Sequence, residues 1–163
     1  MKDIENSKKE APLKEAPFLG LTGMGGGAAS LMWAGATGDG PFSLWVMGSG
    51  EYGLLAQNSN TNYSSPRQVP GEWQKIGGGE ANGQCMGGIK PDGTLWTWGR
   101  NNGGQLGLNN KTQRSSPMQV GTDTTWANVS MTYNGGMLAT KTDGTLWAWG
   151  YNNKGNLGHN APE

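Results

Sequence analysis

The feature that most constrains the fold is an internal repeat with a spacing of 51 residues. The stretch DGTLWTWG at residues 92–99 returns as DGTLWAWG at residues 143–150, and a degenerate copy, LWVMG, lies at residues 44–48. The same spacing relates SSPRQV at residues 64–69 to SSPMQV at residues 115–120. A period near 50 residues is typical of propellers and other arrays. The sequence therefore predicts a row of similar units placed side by side.

Each copy contains short strands joined by tight turns. Asp-Gly is a strong hairpin signal, and it lies between GGIK and TLWTWG. Strict alternation along TLWTWG places Trp96 and Trp98 on one face of the strand and Leu95 and Thr97 on the other. We expect this strand to be covered on both sides, as an inner strand of a blade is. Four short strands in about 51 residues predict one propeller blade, so the fold class is all-β.

The motif DGTLWTWGRNNGGQLG, followed by SSPMQV, Trp126 and Val129, resembles the regulator-of-chromosome-condensation type of repeat. More narrowly, it is similar to the short form of that repeat in bacterial and phage proteins. The resemblance covers residues 44–163, and the first copy departs from the motif at Met47 and at Glu51-Tyr52. It implies a β-propeller, which members of this family usually close with about seven blades.

Residues 44–163 hold only about 2.4 repeats, which predicts a partial propeller in this chain. A bare blade face of roughly 300 Å² costs on the order of 7 kcal/mol. We therefore expect a longer natural polypeptide, several chains or a partner to cover the bare faces, and we favour the first of these.

Residues 1–38 have a different character from the repeats. Residues 1–15 are rich in charge and are expected to be a solvated tail, or a segment pinned against a partner. Residues 16–38 carry no charge and seven glycines, and are too small and glycine-rich for a membrane span or a secretory signal. We interpret them as an extended docking segment with little regular structure; a glycine linker with a hydrophobic end is the alternative. The predicted anchor positions are Phe18, Leu19, Leu21, Met24, Gly25, Gly26, Gly27, Leu31, Met32 and Trp33.

The stretch PFLGLTGMGGGAASLMWAG resembles the start of virion structural proteins of marine tailed phages. This resemblance implies a head-fibre, decoration or tail-appendage protein that docks to capsid or tail proteins. In that interpretation the chain lies on the outer surface of a phage particle, in several copies or as a homo-oligomer. Its propeller then meets a host-surface glycan or protein. The alternative is a soluble cellular propeller scaffold that binds protein partners, since better-known relatives of the repeat are exchange factors or chromatin binders.

Composition argues against most catalytic and metal chemistry. Cys85 and His159 are single, which excludes a Cys-based zinc site and a His cluster and argues against a Ser/His/Asp triad. GSGEYG at residues 48–53 matches a dinucleotide-binding pattern, but no helical periodicity follows it. Twelve basic residues balance twelve acidic ones, so no overall field draws nucleic acid. We predict a protein that is not an enzyme and has no cofactor, metal, nucleic-acid partner or membrane insertion.

Several individual residues have a structural interpretation beside a functional one. The repeated tryptophans are predicted to pack within blades, Asp92 and Asp143 to serve the hairpin turn, and Cys85 to be a small packing residue. Turn positions that differ between the copies are candidates for contact with a ligand, with sequence drift as the alternative. These positions are Tyr52, Tyr63, Arg100, Tyr133 and Tyr151.

Overall fold

The computed structural model describes residues 31–34, 41–78, 84–132, 135–155 and 157–158. These residues form strands, turns and one short 3₁₀ turn at Glu51–Gly53, so the fold is all-β as predicted. None of the helical structure described is long and apolar enough to cross a membrane. The strands are β1 (Leu31–Ala34), β2 (Phe42–Gly48), β3 (Tyr63–Trp73), β4 (Lys75–Gly78), β5 (Cys85–Ile89), β6 (Leu95–Gly99), β7 (Arg114–Gln119), β8 (Trp126–Met131), β9 (Gly136–Lys141) and β10 (Leu146–Gly150).

The strands make three antiparallel sheets, one for each copy of the repeat. The order is β1-β2-β3 in the first sheet, β4-β5-β6-β7 in the second and β8-β9-β10 in the third. We call these sheets blade 1, blade 2 and blade 3. Ile89 pairs with Leu95 in blade 2, and the register of blade 3 is the same because Thr140 pairs with Leu146. The repeat in sequence is therefore a repeat in strand pairing.

Strand β1 gives blade 1 the same hairpin. Leu31 pairs with Met47, as Met86 pairs with Trp98 in blade 2. The spacing from Leu31 to Met86 is 55 residues instead of 51, because nine residues separate Ala34 from Leu44 whereas five separate the equivalent positions of blade 2. Blade structure therefore begins upstream of residue 44, where the sequence repeat becomes visible.

This strand includes three of the predicted anchor residues. Leu31, Met32 and Trp33 lie in β1, paired with Met47, Val46 and Trp45 of β2. The other predicted anchor residues, from Phe18 to Gly27, lie outside the described residues. The docking role of the segment stays a prediction.

Two apolar layers hold the three blades face to face. The first lies between blades 1 and 2 and the second between blades 2 and 3. The first layer is built from Leu44, Val46, Leu54, Leu55, Ala56, Val69, Trp73, Met86 and Trp98. The second layer is built from Cys85, Ile89, Leu95, Leu106, Trp126, Val129, Met131, Met137 and Ala139. Strand β6 supplies Trp98 to one layer and Leu95 to the other, which confirms the prediction that it is covered on both sides.

Blades approach each other closely where glycine allows it. A Cβ on Gly77 of β4 would lie 2.1 Å from the carbonyl oxygen of Val129 in β8. Such a separation is far below any van der Waals contact, so glycine at this position lets the backbone of blade 2 pack directly on that of blade 3.

Candidate binding cleft between blades

The loops that follow β2 in blade 1 and β6 in blade 2 position the neighbouring blade. In blade 2 this loop is organised by Asn101, whose side chain is fully buried. Its Oδ1 accepts a hydrogen bond from the Leu106 N–H at 2.9 Å, and its Nδ2 donates to the carbonyl oxygens of Asn110 and Thr112 at 2.8 and 3.0 Å. One amide thus satisfies three backbone groups of a loop that has no regular structure.

A tryptophan of each following blade bonds to this loop. Trp98 of blade 2 donates its indole N–H to the Leu54 carbonyl of blade 1 at 2.9 Å. Trp149 of blade 3 donates in the same way to the Gln105 carbonyl of blade 2, also at 2.9 Å. Donor and acceptor are 44 residues apart in both cases. This bond is the repeated polar link between consecutive blades.

A cleft of about 420 Å³ opens at the junction of blades 1 and 2. Blade 1 forms one side with loop residues and the end of β3, and blade 2 forms the other with residues of β6, of β7 and of the turn before β6. Its lining is Ala56, Gln57, Asn58, Pro70, Trp73, Lys90, Trp96, Ser116 and Pro117. The cleft is of the size that holds small ligands or a few side chains of a partner.

One cation and two indole rings dominate the wall of the cleft. The Lys90 ammonium lies 3.7 Å from the centre of the Trp96 ring and 5.8 Å from that of Trp73. Both distances are within the range of cation–π attraction. We call Lys90 and Trp96 of blade 2, together with Trp73 at the end of β3 in blade 1, the blade 2 platform.

The hairpin turn before β6 orients this platform. Thr94 donates from its hydroxyl to Asp92 Oδ1 at 2.6 Å and from its backbone N–H at 3.0 Å. The indole N–H of Trp96 donates in turn to the Thr94 hydroxyl oxygen at 2.8 Å. The hydrogen bond from the Thr94 hydroxyl, and then the one from its N–H, lower the pKa of Asp92. Asp92 therefore serves the turn, as predicted.

Blade 3 repeats the platform with Lys141, Trp126 and Trp147. The Lys141 ammonium lies 4.9 Å from the Trp126 ring centre and 4.3 Å from that of Trp147. The turn is repeated too, since Thr145 donates to Asp143 Oδ1 from its hydroxyl at 2.7 Å and lowers the pKa of that carboxyl. We call these three residues the blade 3 platform.

Residues 92–134 match the family model described as Regulator of chromosome condensation (RCC1) repeat. The matched stretch runs from the Asp92 turn through β6, β7 and β8, and it includes Trp96 of the blade 2 platform and Trp126 of the blade 3 platform. The chain carries an RCC1-type repeat.

The relatives and solved structures agree with this. The chain is 42% identical over 72 residues to the X-linked retinitis pigmentosa GTPase regulator homolog of Caenorhabditis elegans. This alignment covers 43% of this chain and 5% of that relative. The fold of the present chain is similar to that of human WBSCR16, with a TM-score of 0.58 and 21% identity over 76% of this chain and 32% of that one. It is also similar to Prp20p of Saccharomyces cerevisiae, with a TM-score of 0.57 and 16% identity over 83% of this chain and 33% of that one. The chain thus spans about a third of the solved propellers.

The variable turn positions of the RCC1-type repeat lie at contacts between consecutive loops. The Arg100 guanidinium lies 5.0 Å from the centre of the Tyr52 ring of the preceding loop and also bonds to the Gln84 side chain. At the equivalent place in blade 3, the Tyr151 ring lies so close to Gly103 that a Cβ there would be 2.6 Å from it.

Of the remaining two candidates, the structure describes Tyr63 alone. Tyr63 lies under the Arg67 guanidinium, 4.7 Å away, and Tyr133 is outside the described residues. A ligand-binding role for these turn positions stays a prediction.

Cys85 is a packing residue, as predicted. It is fully buried in the second apolar layer, and its Sγ lies 3.8 Å from the Met131 Sδ. Burial raises the pKa of its thiol to about 12, so the thiol stays neutral and unreactive at ordinary pH. Among the described residues, no group of His, Cys, Asp and Glu is arranged to hold a metal ion.

The lysines of the two platforms were missed by reasoning from sequence. A signal for them exists, because Lys90 and Lys141 stand 51 residues apart, each two residues before Asp-Gly. Solvated lysines are common beside turns, so the repeated position carries meaning only once Trp96 and Trp147 are known to lie beneath the ammonium groups.

Proposed function

We propose that this chain is a protein-binding module of RCC1-type propeller blades. The observation that carries the proposal is the cleft between blades 1 and 2, in which a lysine lies over two indole rings and one of those rings, Trp96, is bonded to the turn before β6. Tryptophan side chains in preformed pockets are typical anchors of protein recognition. The predicted alternative, a cellular propeller scaffold, is the interpretation that this cleft and the fold support best.

The relatives support a role in binding proteins. The C. elegans relative is named a GTPase regulator homolog. The structure of Prp20p is described with its binding properties to Gsp1p and histones, and a further similar structure is Kap60 bound to yeast RCC1 (Prp20), with a TM-score of 0.56 and 17% identity over 84% of this chain and 33% of that one. A binding role fits a chain whose described residues form packed blades with a cleft at a blade junction.

Site-specific photo-crosslinking tests the proposal. Ser116 lies on the cleft, and it is replaced by p-benzoylphenylalanine in the full chain, which is then expressed and irradiated in cells of its source. We expect a discrete protein adduct from this position and none from the same replacement at Lys154, which is exposed and not part of the cleft lining. Absence of any adduct from Ser116 would refute protein binding at the cleft.

Docking to a virion remains a separate hypothesis that depends on other residues. It rests on the segment from Phe18 to Trp33, most of which lies outside the described residues, and the relatives offer it no support. Mass spectrometry of purified particles tests it. Peptides of this chain at stoichiometric amounts would support the hypothesis, and their absence would end it.

A further inference from the structure

The two platforms differ in what faces the lysine. In blade 3 the Lys141 ammonium donates to Asp123 Oδ2 at 2.6 Å. This is the one ion pair within the described part of the chain. Lys90, at the equivalent position in blade 2, makes no ion pair within the described residues; the nearby Asp92 carboxylate, whose pKa the charge of Lys90 helps to lower, is held in the turn by Thr94.

The reason lies at a single position of the repeat. Asp123 stands three residues before Trp126, and Pro70 stands three residues before Trp73. Pro70 lines the cleft together with Lys90. Asp123 presents a carboxylate to the lysine of blade 3, whereas Pro70 of blade 1 presents an uncharged side chain to the lysine of blade 2, beside an open cleft.

We propose that the cleft binds an aspartate or glutamate side chain from an acidic segment of the partner protein. Lys90 then makes to that carboxylate the bond that Lys141 makes to Asp123. The proposal rests on the proposed function and gives the chemistry of the partner. A protein segment is favoured over a small free acid because about 420 Å³ is more than one carboxylate fills. Trp96 and Pro117 offer apolar surface to the residues that flank it.

The platform is prepared for this ligand before it arrives. The ammonium of Lys90 already lies on the Trp96 ring, and the ring is fixed by its bond to Thr94. Little side-chain freedom is left to lose when the carboxylate binds. A hydrogen bond between two charged groups is among the stronger contacts available to a cleft of this kind.

Titration of the full chain followed by NMR tests this inference. The probe is a blocked peptide, Gly-Ser-Asp-Leu-Gly, and the matched peptide carries Asn in place of Asp. The indole N–H of Trp96 is the main reporter, because its half-buried ring lines the cleft beneath Lys90, and the fully buried Trp73 indole, which also lines the cleft, is the second. We expect the Asp peptide to shift the Trp73 and Trp96 indole signals and to bind at least about tenfold more tightly than the Asn peptide.

Three variants separate the lysine from general charge. Lys90→Gln should weaken the Asp peptide by about tenfold or more. Pro70→Asp should do the same by supplying a carboxylate from within, as Asp123 does in blade 3. Lys111→Gln removes an equal charge from an exposed loop and should leave binding unchanged.

The outcomes distinguish this inference from the proposed function. Equal binding of the Asp and Asn peptides, or unchanged binding by Lys90→Gln, would overturn the carboxylate site. Acetate that binds as tightly as the Asp peptide would overturn the assignment to a protein segment. If the adduct at Ser116 forms equally well in the Lys90→Gln chain, protein binding stands and the carboxylate inference fails.

Discussion

At the scale of residues, the indole N–H of the second repeat tryptophan decides how blades are joined. Trp98 is fully buried and bonds to the Leu54 carbonyl, while Trp149 is half-buried and bonds to the Gln105 carbonyl. Met47 occupies this position in blade 1, and its side chain has no N–H group to donate. The hydrogen bond therefore joins blade 2 to blade 1 and blade 3 to blade 2.

Replacement of Trp98 by Phe tests the value of this bond. The ring is largely kept, but the buried Leu54 carbonyl loses its donor, so we expect a loss of about 1–3 kcal/mol in the free energy of unfolding. Trp149→Phe should cost less, because the site is half-buried and water can reach it. Urea unfolding followed by far-UV circular dichroism gives both values. Equal costs for the two variants would contradict the account.

The Asp-Gly-Thr turns make stability depend on pH in acid. The folded state lowers the pKa of Asp92 and Asp143 below that of the unfolded chain. A carboxylate of this kind stabilises the fold above its unfolded pKa of about 3.9, and that stability is lost as pH falls through the folded pKa. We expect the Asp92→Asn, Asp143→Asn double variant to lose less stability than the wild type between about pH 5 and pH 2.

Urea midpoints measured across this range give the comparison. Thr94→Val removes the side-chain hydrogen bond to Asp92, which lowers the pKa of that carboxyl more than the backbone hydrogen bond does. Its dependence of stability on pH should lie between those of the wild type and the double variant. A double variant with the same acid profile as the wild type would show that the turns do not contribute.

At the scale of elements, the irregular loop that follows the last strand of the central hairpin is held by one buried amide in blades 2 and 3. Asn101 binds the Leu106 N–H and two carbonyls. Asn152 accepts from the Leu157 N–H at 3.1 Å in the equivalent loop of blade 3. In blade 1 the equivalent position is Gly50, and a Cβ there would lie 2.0 Å from the Thr61 carbonyl oxygen. The backbone of this loop therefore occupies the space that an asparagine side chain would need.

Two substitutions at Asn101 separate its donor and acceptor roles. Asn101→Asp keeps the acceptor for Leu106 but places a carboxylate against the carbonyls of Asn110 and Thr112, and Asn101→Ala removes both roles. Each buried group left without a partner costs about 1–3 kcal/mol, so both variants should unfold at a lower urea concentration than the wild type. Hydrogen exchange should show the largest gain at the Leu106 amide in Asn101→Ala. Wild-type protection of that amide in Asn101→Ala would contradict this role.

The hairpins were predictable from sequence, and the links between blades were not. Alternation along TLWTWG placed Trp98 and Leu95 on opposite faces, because side chains alternate in any strand. Asp-Gly marked the turn because its backbone needs are local. The bond from Trp98 to Leu54 joins residues 44 positions apart, and no local pattern announces such a pairing. Strand β1 was not predicted because more residues separate it from β2 than separate β5 from β6, so it does not follow the 51-residue spacing.

The candidate cleft could be predicted only in part, because it also depends on contacts between residues that are far apart in the sequence. Trp96 and Trp73 stood out as repeat residues, but their function was assigned to packing. The difference between Pro70 and Asp123 becomes meaningful only when Lys90 and Lys141 are seen at the same place in three dimensions. The variable tyrosines drew attention as ligand contacts, and in the structure Tyr52 and Tyr151 lie against neighbouring loops.

At the scale of the whole molecule, the described chain is a row of blades in which each covers the face of the one before. Leu95 of blade 2 is fully buried because blade 3 covers its face. Leu146, its counterpart in blade 3, is 66% exposed. The cleft at Lys90 is a product of this arrangement, since its two sides come from consecutive blades.

The central claim is that consecutive blades are joined through the repeat tryptophan, and NMR of the indole N–H groups tests it most directly. The account predicts slow hydrogen exchange at the Trp98 indole and a nuclear Overhauser contact from it to the Leu54–Leu55 backbone. Trp147, which is 48% exposed, should exchange rapidly in the same sample. If the Trp98 indole exchanges as fast as that of Trp147 and shows no contact with blade 1, the blades are not joined in this way.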